Sequence, residues 1–166
     1  MASNKNIILD RAVAAMKLRR MALEILEDNA EEKELIIAGI REKGAVLARS
    51  LQKLLEELSE VKIVLVDIIL DKENPRDVRL GEPTEMNGRV VIIVDDVVNS
   101  GKTLTYALKP FLEQQPKKIS IGVLVERTHT NFPVRPDYVG LSIASTLQEQ
   151  ITVELENGVV TGAYLA

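Results

Sequence analysis

The sequence contains no cysteine, a single histidine and few aromatic residues. The lack of cysteine excludes disulfides, thiolate metal sites and a cysteine nucleophile, and it is typical of a protein from a reducing cytoplasm. An aromatic content of 3% and a net charge of -4 argue against a broad nucleic-acid-binding surface. Such a surface needs surplus Lys and Arg or stacking rings. Only a local basic patch is compatible with these totals.

Long hydrophobic runs are also missing. No apolar run reaches the roughly 20 residues that span a bilayer, and residues 1–6 lack the apolar core of a secretory signal. We therefore expect a soluble, cytoplasmic protein without membrane contact. The 166 residues, 46% of them hydrophobic, suffice for one compact domain over 1–166 with a buried core and a small-molecule site.

Apolar patterns of two periods alternate along the chain. Continuous apolar runs predict buried parallel strands, and runs with a 3.6-residue period predict helices. The predicted strands are 35–39, 61–70, 90–94, 119–125 and 138–143, and the predicted helices are 10–29, 45–58 and 102–114, the first capped by Asp10. The charged, Pro- and Gly-containing segment 71–88 is predicted to be a loop. This alternation predicts an α/β fold with a mostly parallel sheet. Ligands of such sheets bind beyond the carboxyl ends of the strands.

The segment 91–103 combines three features in thirteen positions. Its first four residues are apolar and predict the end of a buried strand. Asp95 and Asp96 follow where this strand reaches the sheet's edge, and burying two unpaired charges there is costly unless a ligand or cation uses them. Residues 99–103 form a tight turn that opens a helix. Gly101 permits close backbone approach, and the free N–H groups of the helix's first turn favour a phosphate.

Paired acids suit the vicinal hydroxyls of a sugar or a hydrated magnesium ion, because carboxylates accept hydrogen bonds and are hard oxygen ligands. Acids for sugar hydroxyls beside amides for a phosphate describe a site for ribose 5-phosphate. A simpler interpretation is that the acids end a strand and cap the next helix, but the full combination favours the ligand site. A Walker phosphate loop is excluded, because no glycine stands five residues before Gly101.

The segment 91–103 resembles the phosphoribosyl pyrophosphate signature of the type I phosphoribosyltransferases. Further stretches resemble one branch of that family, the uracil phosphoribosyltransferases that double as pyrimidine-operon attenuators; they are residues 36–49, 66–70, 123–129 and 132–140. The similarity covers nearly the whole chain. It implies the type I phosphoribosyltransferase fold, in which helices flank the mostly parallel sheet and a small hood is added.

The resemblance implies a role for each matching residue. Asp95 and Asp96 would be the catalytic carboxylates and would hold magnesium, directly or through ligand or water. The ribose and 5-phosphate would be bound by Asp95, Asp96, Val97, Val98, Asn99, Ser100, Gly101, Lys102 and Thr103. The pyrophosphate would be bound by Arg41, Glu42, Lys43, Gly44 and Lys72. The base would be bound by Glu126, Arg127, Thr128 and His129.

Several of these residues also have an ordinary structural interpretation. Arg41 and Lys43 are typical of solvated charges on a loop, and Glu42 stands where the branch usually has Thr. His129, without an identifiable partner, is typical of an exposed loop residue. Tyr138 is more typical of strand packing than of base stacking.

Three features depart from the family pattern. Asn99 stands where the purine-salvage branch usually has an Asp that interacts with the ring, and an amide cannot act as a base, which favours a pyrimidine. Lys72 lies in a stretch, 71–74, where the attenuator branch carries aromatic and Arg residues; it supplies a point charge without the Arg fork. The loop 71–88 is shorter than the family's water-excluding flap, so turnover is expected to be weak or altered.

The resemblance predicts transfer of ribose 5-phosphate from phosphoribosyl pyrophosphate to a nucleobase, a pyrimidine such as uracil, in nucleotide salvage with Mg²⁺ as cofactor. The alternative is an RNA attenuator-like regulator that senses phosphoribosyl pyrophosphate or nucleotides and binds RNA or another protein, with weak or no catalysis. RNA binding is disfavoured by the acidic total and by Thr130 and Leu141, which stand where the attenuator branch tends to carry Arg and Lys. The first helix and the tail 148–166 are expected to form a hood or a subunit interface, and family members imply a homodimer or homotetramer.

Overall fold

The computed structural model describes residues 5–144 and 149–166. Its strands are β1 (Asn6–Asp10), β2 (Glu34–Ile40), β3 (Lys62–Ile69), β4 (Arg79–Leu80), β5 (Val90–Val98), β6 (Lys118–Arg127), β7 (Tyr138–Ile143), β8 (Ile151–Glu156) and β9 (Val159–Leu165). Its helices are α1 (Arg11–Asp28), α2 (Lys43–Leu58), α3 (Lys102–Ala107) and α4 (Lys109–Leu112).

Six strands form the central sheet, in the order β4-β3-β2-β5-β6-β7. Neighbouring strands run parallel, except that the two-residue β4 is antiparallel to β3. From β2 the chain winds outward to β3, and from β5 it winds the other way through β6 to β7. The winding therefore reverses between β2 and β5, and the crevice beyond their carboxyl ends is where ligands of such sheets bind.

Apolar layers cover both faces of the central sheet. On one face, α1 and α2 pack through side chains such as Ile25 and Leu51, which are fully buried. On the other face, α3, α4 and the loop 71–88 contribute Leu104, Phe111 and Met86. Burial on both faces explains why the middle strand β5 is apolar in sequence at every position except Asp95 and Asp96.

The small hood is a three-stranded antiparallel sheet in the order β1-β9-β8. Its side chains Leu9, Val153 and Ala163 belong to the same buried cluster as α1 and α2. The hood therefore shares its core with one face of the central sheet. The predicted tail segment supplies β8 and β9, while its first residue, Gln148, lies outside the described residues. Helix α1 packs on the central sheet and on the hood.

The predicted α/β architecture with a mostly parallel sheet is confirmed. The Asp10 cap is also confirmed, since its carboxylate accepts a hydrogen bond from the Val13 N–H at 2.8 Å. Strand β1 was not predicted, because its five residues carry no clear alternation. The loop 71–88 contains the short β4 as its only strand among the residues that the structure describes.

Several predicted boundaries were wrong. Helix α2 begins at Lys43 and not at Ala45, so Lys43 and Gly44 lie in its first turn, and the strand predicted to end at Val125 continues to Arg127. The strand expected to end at Val94 continues to Val98, so Asp95 and Asp96 lie within the sheet and not beyond it. The helix predicted over 102–114 is divided into α3 and α4 at Leu108. Pro110 explains the division, because it lacks the N–H that would continue the helical hydrogen bonds.

Of the described helices, none has both the length and the apolar character that a membrane-spanning helix requires.

Replacement of Leu9 by alanine tests whether the hood shares the main core. Leu9 is 2% exposed, so Leu9→Ala should lower the free energy of unfolding by about 2–5 kcal/mol in one cooperative urea transition. Ile7→Ala on the same strand is the matched control, because Ile7 is 69% exposed and should cost about 0.5 kcal/mol or less. Equal effects of the two substitutions, or a separate early transition for the hood, would contradict the shared core.

Candidate functional site

The carboxyl ends of the central strands bring the predicted site segments to one edge of the sheet. Strand β5 lies between β2 and β6, with Val94 beside Gly39 and Asp95 beside Val123. The turn 41–44 that follows β2 and the turn 99–103 that follows β5 are therefore neighbours. Lys72 reaches the same edge from the loop after β3.

The carboxylates of Asp95 and Asp96 are buried, with the residues 1% and 7% exposed. The backbone N–H of Asp96 donates to Asp95 Oδ1 at 2.9 Å. Both acids lie within β5; Asp95 is paired with Val123 of β6, whereas the pairing with β2 ends at Val94. The side chains are thus held in a rigid element, which suits a site that must recognise a ligand with defined geometry.

Lys72 supplies a positive charge to this acidic pair. Its Nζ lies 3.3 Å from Asp95 Oδ1 and 3.4 Å from Oδ2, and 3.7 Å from Asp96 Oδ1. Among the described residues it is the only cationic side chain within 4 Å of either carboxylate. Sequence reasoning assigned Lys72 to pyrophosphate, and that role stays a prediction beside the observed ion pair.

Burial raises the pKa of Asp95 well above its usual 3.8, and the neighbouring charge of Asp96 adds to the increase. The positive charge of Lys72 and the Asp96 N–H oppose it. Two adjacent carboxylates in a low-dielectric interior therefore disfavour ionisation of Asp95. Groups whose pKa is perturbed in this way are common at functional sites.

The turn after β5 is held by hydrogen bonds from the loop that follows β6. Gly101 has φ of +87°, a left-handed conformation that favours glycine. The Ser100 carbonyl accepts hydrogen bonds from the N–H groups of Asn131 at 2.9 Å and Phe132 at 3.1 Å. The Lys102 N–H donates to Ser100 Oγ at 3.2 Å. The loop after β6 thus holds the turn in place from outside.

One cavity of about 90 Å³ joins these features. It is lined by Lys72, Asp95, Val97, Val98, Asn99, Ser100, Gly101, Lys102, Thr103 and Leu104. Of the predicted ribose and 5-phosphate residues 95–103, all but Asp96 therefore line one cavity. A larger cavity of about 400 Å³ lies at the amino end of β5, near Val90 and Lys117, and neither carboxylate of the pair lines it.

The first turn of α2, which follows β2, is packed tightly against Val94 and Asp95. A Cβ at Gly44 would lie 2.6 Å from the Val94 carbonyl oxygen and 3.1 Å from Asp95 Oδ1, so only glycine fits there. The peptide bond between Arg41 and Glu42 is cis. Turn and strand are therefore in contact where sequence reasoning expected pyrophosphate beside ribose.

The charged side chains of this turn point in different directions. Arg41 Nε lies 3.5 Å from Asp67 Oδ2, with both side chains about half exposed. Glu42 is exposed. Lys43 Nζ donates to the Val153 carbonyl of the hood at 2.6 Å, a contact that sequence reasoning did not find because the residues are 110 positions apart. The assignment of these three side chains to pyrophosphate stays a prediction.

The predicted base segment is divided between strand and loop. Glu126 and Arg127 lie within β6, whereas Thr128 and His129 are exposed beyond it, as expected for His129. Glu126 Oε1 accepts a hydrogen bond from the Ser142 hydroxyl at 2.7 Å.

Arg127 is 5% exposed and joins the base segment to the turn after β5. Its Nε donates to Asn99 Oδ1 at 2.9 Å, and its guanidinium also donates to the Glu149 carbonyl. The contact orients the Asn99 amide. No pattern in the sequence signals this pair, because the two residues are far apart in the chain and belong to different elements.

Tyr138 is a packing residue, as predicted. It is 4% exposed in the apolar cluster, and its hydroxyl donates to Asp28 Oδ2 at 2.5 Å. Burial raises the pKa of Tyr138, and the hydrogen bond to Asp28 adds to the increase. The phenol therefore stays protonated and structural.

The donor set fits magnesium only together with a ligand. In the part of the chain that the structure describes, no group of three or more His, Asp and Glu side chains is arranged to hold a metal ion. Asp95 and Asp96 offer two carboxylates, and Lys72 already supplies charge beside them. Magnesium usually keeps several waters and takes one or two carboxylates plus substrate phosphates, which agrees with this set.

Comparisons with known proteins point to one family. The model of the phosphoribosyl transferase domain matches residues 5–155. The chain is 35% identical to the bifunctional protein PyrR of Macrococcus caseolyticus over 92% of this chain and 93% of that protein. It is 32% identical to the bifunctional protein PyrR of Enterococcus faecalis strain V583 over 92% and 90%. A solved hypoxanthine-guanine phosphoribosyltransferase of Bacillus anthracis shares the fold, with a TM-score of 0.75 at 19% identity over 96% of each chain.

Replacement of Asp95 by asparagine should stabilise the protein at neutral pH. Between the usual and the raised pKa, the folded protein holds a proton that the unfolded chain has released, so the free energy of unfolding falls as pH rises through this window. Asparagine does not ionise, so the free energy of unfolding of the variant should not decrease in this way. Urea unfolding at about pH 7.5 should therefore find Asp95→Asn more stable than wild type, with the gap narrowing toward about pH 4. An Asp95→Asn protein less stable than wild type at the higher pH would contradict the pKa direction; Asp77→Asn, which removes an exposed carboxylate, is the control.

Gly44→Ala tests the close packing of turn and strand. The added Cβ meets a backbone oxygen at 2.6 Å, which no side-chain rotation can relieve, so the free energy of unfolding should fall by about 1–3 kcal/mol. At Gly122 the nearest atoms would lie 3.7 Å from a Cβ, and Gly122→Ala should change stability by about 1 kcal/mol or less. If both variants unfold at the same urea concentration, the turn is not packed as described.

Proposed function

The chain belongs to the phosphoribosyltransferase family, in the branch of the bifunctional PyrR proteins, and from this premise we propose that it transfers ribose 5-phosphate from phosphoribosyl pyrophosphate to a pyrimidine base such as uracil. The product would be a pyrimidine nucleoside monophosphate. Its role would be in nucleotide salvage, in the cytoplasm.

One observation carries the proposal. Asp95 is one of two adjacent buried carboxylates that lie beside the Lys72 amine, and it lines a cavity together with a glycine turn that opens a helix. Carboxylates accept hydrogen bonds from vicinal hydroxyls, and the amide N–H groups of such a turn favour a phosphate. A sugar phosphate satisfies both at once.

The remaining roles follow from the same arrangement. The hydroxyls of Ser100 and Thr103 and the amides of 101–103 would hold the 5-phosphate. The turn 41–44 would hold the pyrophosphate beside the carboxylate pair, because it packs directly on β5. The protein would position the anomeric carbon between the leaving pyrophosphate and the attacking base nitrogen, so its catalysis would consist of orientation and charge stabilisation.

Magnesium is the proposed cofactor. Asp95 and Asp96 would reach it through the ligand or through water, in keeping with a site that offers only two carboxylates. When bound, it would neutralise the negative charge that develops on the leaving pyrophosphate.

The base is proposed to be a pyrimidine read by the segment 126–129. Asn99 is an amide whose oxygen already accepts from Arg127, so it cannot serve as a proton acceptor for a purine ring nitrogen. The similarity to a hypoxanthine-guanine phosphoribosyltransferase concerns the fold and carries no base preference.

The second candidate function is a regulator that binds phosphoribosyl pyrophosphate or a nucleotide with weak or no turnover. The contact between Asn99 and Arg127 favours the regulator, because the described site then has an amide and no carboxylate base at position 99. RNA is not the proposed partner, since the net charge of -4 opposes binding to a polyanion. A homodimer or homotetramer is the proposed assembly.

Base-dependent pyrophosphate release distinguishes the two functions. The protein is incubated with phosphoribosyl pyrophosphate, magnesium and, separately, uracil, hypoxanthine, guanine, adenine and orotate. Release with uracil above all other bases is the expected result. Saturable binding of phosphoribosyl pyrophosphate without release for any base would overturn transfer and favour the regulator.

Removing both charges of the carboxylate pair tests the site itself. The double variant Asp95→Asn, Asp96→Asn loses charge-assisted acceptors for the ribose hydroxyls, so calorimetry should find its affinity for phosphoribosyl pyrophosphate weaker by roughly tenfold to hundredfold. Glu56→Gln, Glu57→Gln removes two adjacent exposed carboxylates from α2 and should leave the affinity unchanged. Equal affinity of the two double variants would mean that the ligand binds elsewhere.

A further inference from the structure

Lys72 brings a cation to a place where ligands or metals usually provide one. Its amine contacts both oxygens of Asp95 and one oxygen of Asp96 within 3.7 Å. The two side chains that it bridges are 2% and 9% exposed. One flexible cationic side chain therefore lies beside both buried carboxylates.

The charge compensation does not close the site. The Lys72 side chain remains 45% exposed, and the ion-pair distances of 3.3 to 3.7 Å are longer than a tight charge-assisted hydrogen bond. Each carboxylate oxygen keeps further lone pairs that hydroxyl groups can use. A sugar can therefore bind to the pair while the amine stays beside it.

Lys72 comes from a different segment of the chain than the other residues of the site. It stands two residues beyond Leu70 in the loop 71–88, whereas the carboxylates belong to the rigid β5. The other residues that line the cavity come from the single segment 95–104. Lys72 is thus the one contribution from another element among the described lining residues.

From this geometry we propose that Lys72 is the counter-ion that lets the carboxylate pair hold a ribose 5-phosphate group without magnesium. The inference rests on the proposed function, since it takes the cavity to be a phosphoribosyl site. Magnesium is then required for the pyrophosphate of phosphoribosyl pyrophosphate and not for the sugar phosphate. A nucleoside monophosphate would accordingly bind in the absence of the metal.

Titration of the full chain with ribose 5-phosphate, in excess magnesium and in EDTA, tests the inference by calorimetry. This probe has the hydroxyls and the 5-phosphate but no pyrophosphate to chelate the metal. The wild-type dissociation constant should agree in the two buffers within about twofold. Lys72→Met should bind roughly tenfold or more weakly in EDTA, because the buried carboxylates lose their cation, and magnesium should restore most of the affinity.

Two further variants control for charge and for lysine loss in general. Lys72→Arg keeps the charge and should behave as wild type in EDTA. Lys53→Met removes an exposed lysine of α2 and should change nothing. Recovery of Lys72→Met by magnesium also shows that this variant is folded.

Three results overturn the inference: loss of wild-type binding in EDTA, Lys72→Met binding that is the same with and without magnesium, or Lys72→Arg binding as weakly as Lys72→Met in EDTA. Pyrophosphate release measured on the same wild-type sample separates the two claims. Absence of release together with metal-independent ribose 5-phosphate binding refutes transfer alone. Release together with any of the three results refutes the role of Lys72 alone.

Discussion

The buried carboxylate pair on the middle strand is the constraint on which the arrangement of the site depends. Asp95 and Asp96 lie inside a sheet whose faces are otherwise covered by apolar side chains, so their charges need compensation. The nearby structure provides it in parts: Lys72 from the loop after β3 and the Asp96 N–H from the strand itself. Gly44 then brings the first turn of α2 close to Asp95. Each of these contacts helps to accommodate a polar site in an apolar interior.

Burial of the carboxylate pair destabilises the folded protein at the site, and apolar packing elsewhere offsets this loss. The raised pKa of Asp95 shows that its environment disfavours the ionised form that a sugar ligand would use. A function that needs such a group is commonly retained at a cost in stability. The apolar clusters on both faces of the sheet provide the stability that offsets this cost, and the hood belongs to one of these clusters. The Lys72 amine, which lies beside both carboxylates, reduces that cost in the ligand-free protein.

The sequence predicted the mostly parallel sheet and the single segment whose residues, apart from Asp96, line the cavity of about 90 Å³, because these depend on local patterns. Continuous apolar runs identify buried strands, and the acids and glycine of 91–103 stand close together in the chain. Contacts between distant segments could not be predicted. The bond from Arg127 to Asn99, the contact of Lys43 with the hood and the approach of Lys72 to Asp95 each depend on tertiary structure. The strand β1 escaped prediction because it is stabilised by pairing with β9, at the other end of the chain.

A crystal structure of the protein with ribose 5-phosphate would show where the sugar and the phosphate bind. The ribose hydroxyls should lie within hydrogen-bond distance of the Asp95 and Asp96 carboxylates. The phosphate should lie on the backbone amides of the turn 99–103, with the Lys72 amine still beside the carboxylate pair. A sugar phosphate bound at another edge of the sheet, or one whose hydroxyls make no contact with either carboxylate, would contradict a phosphoribosyl site at the carboxylate pair.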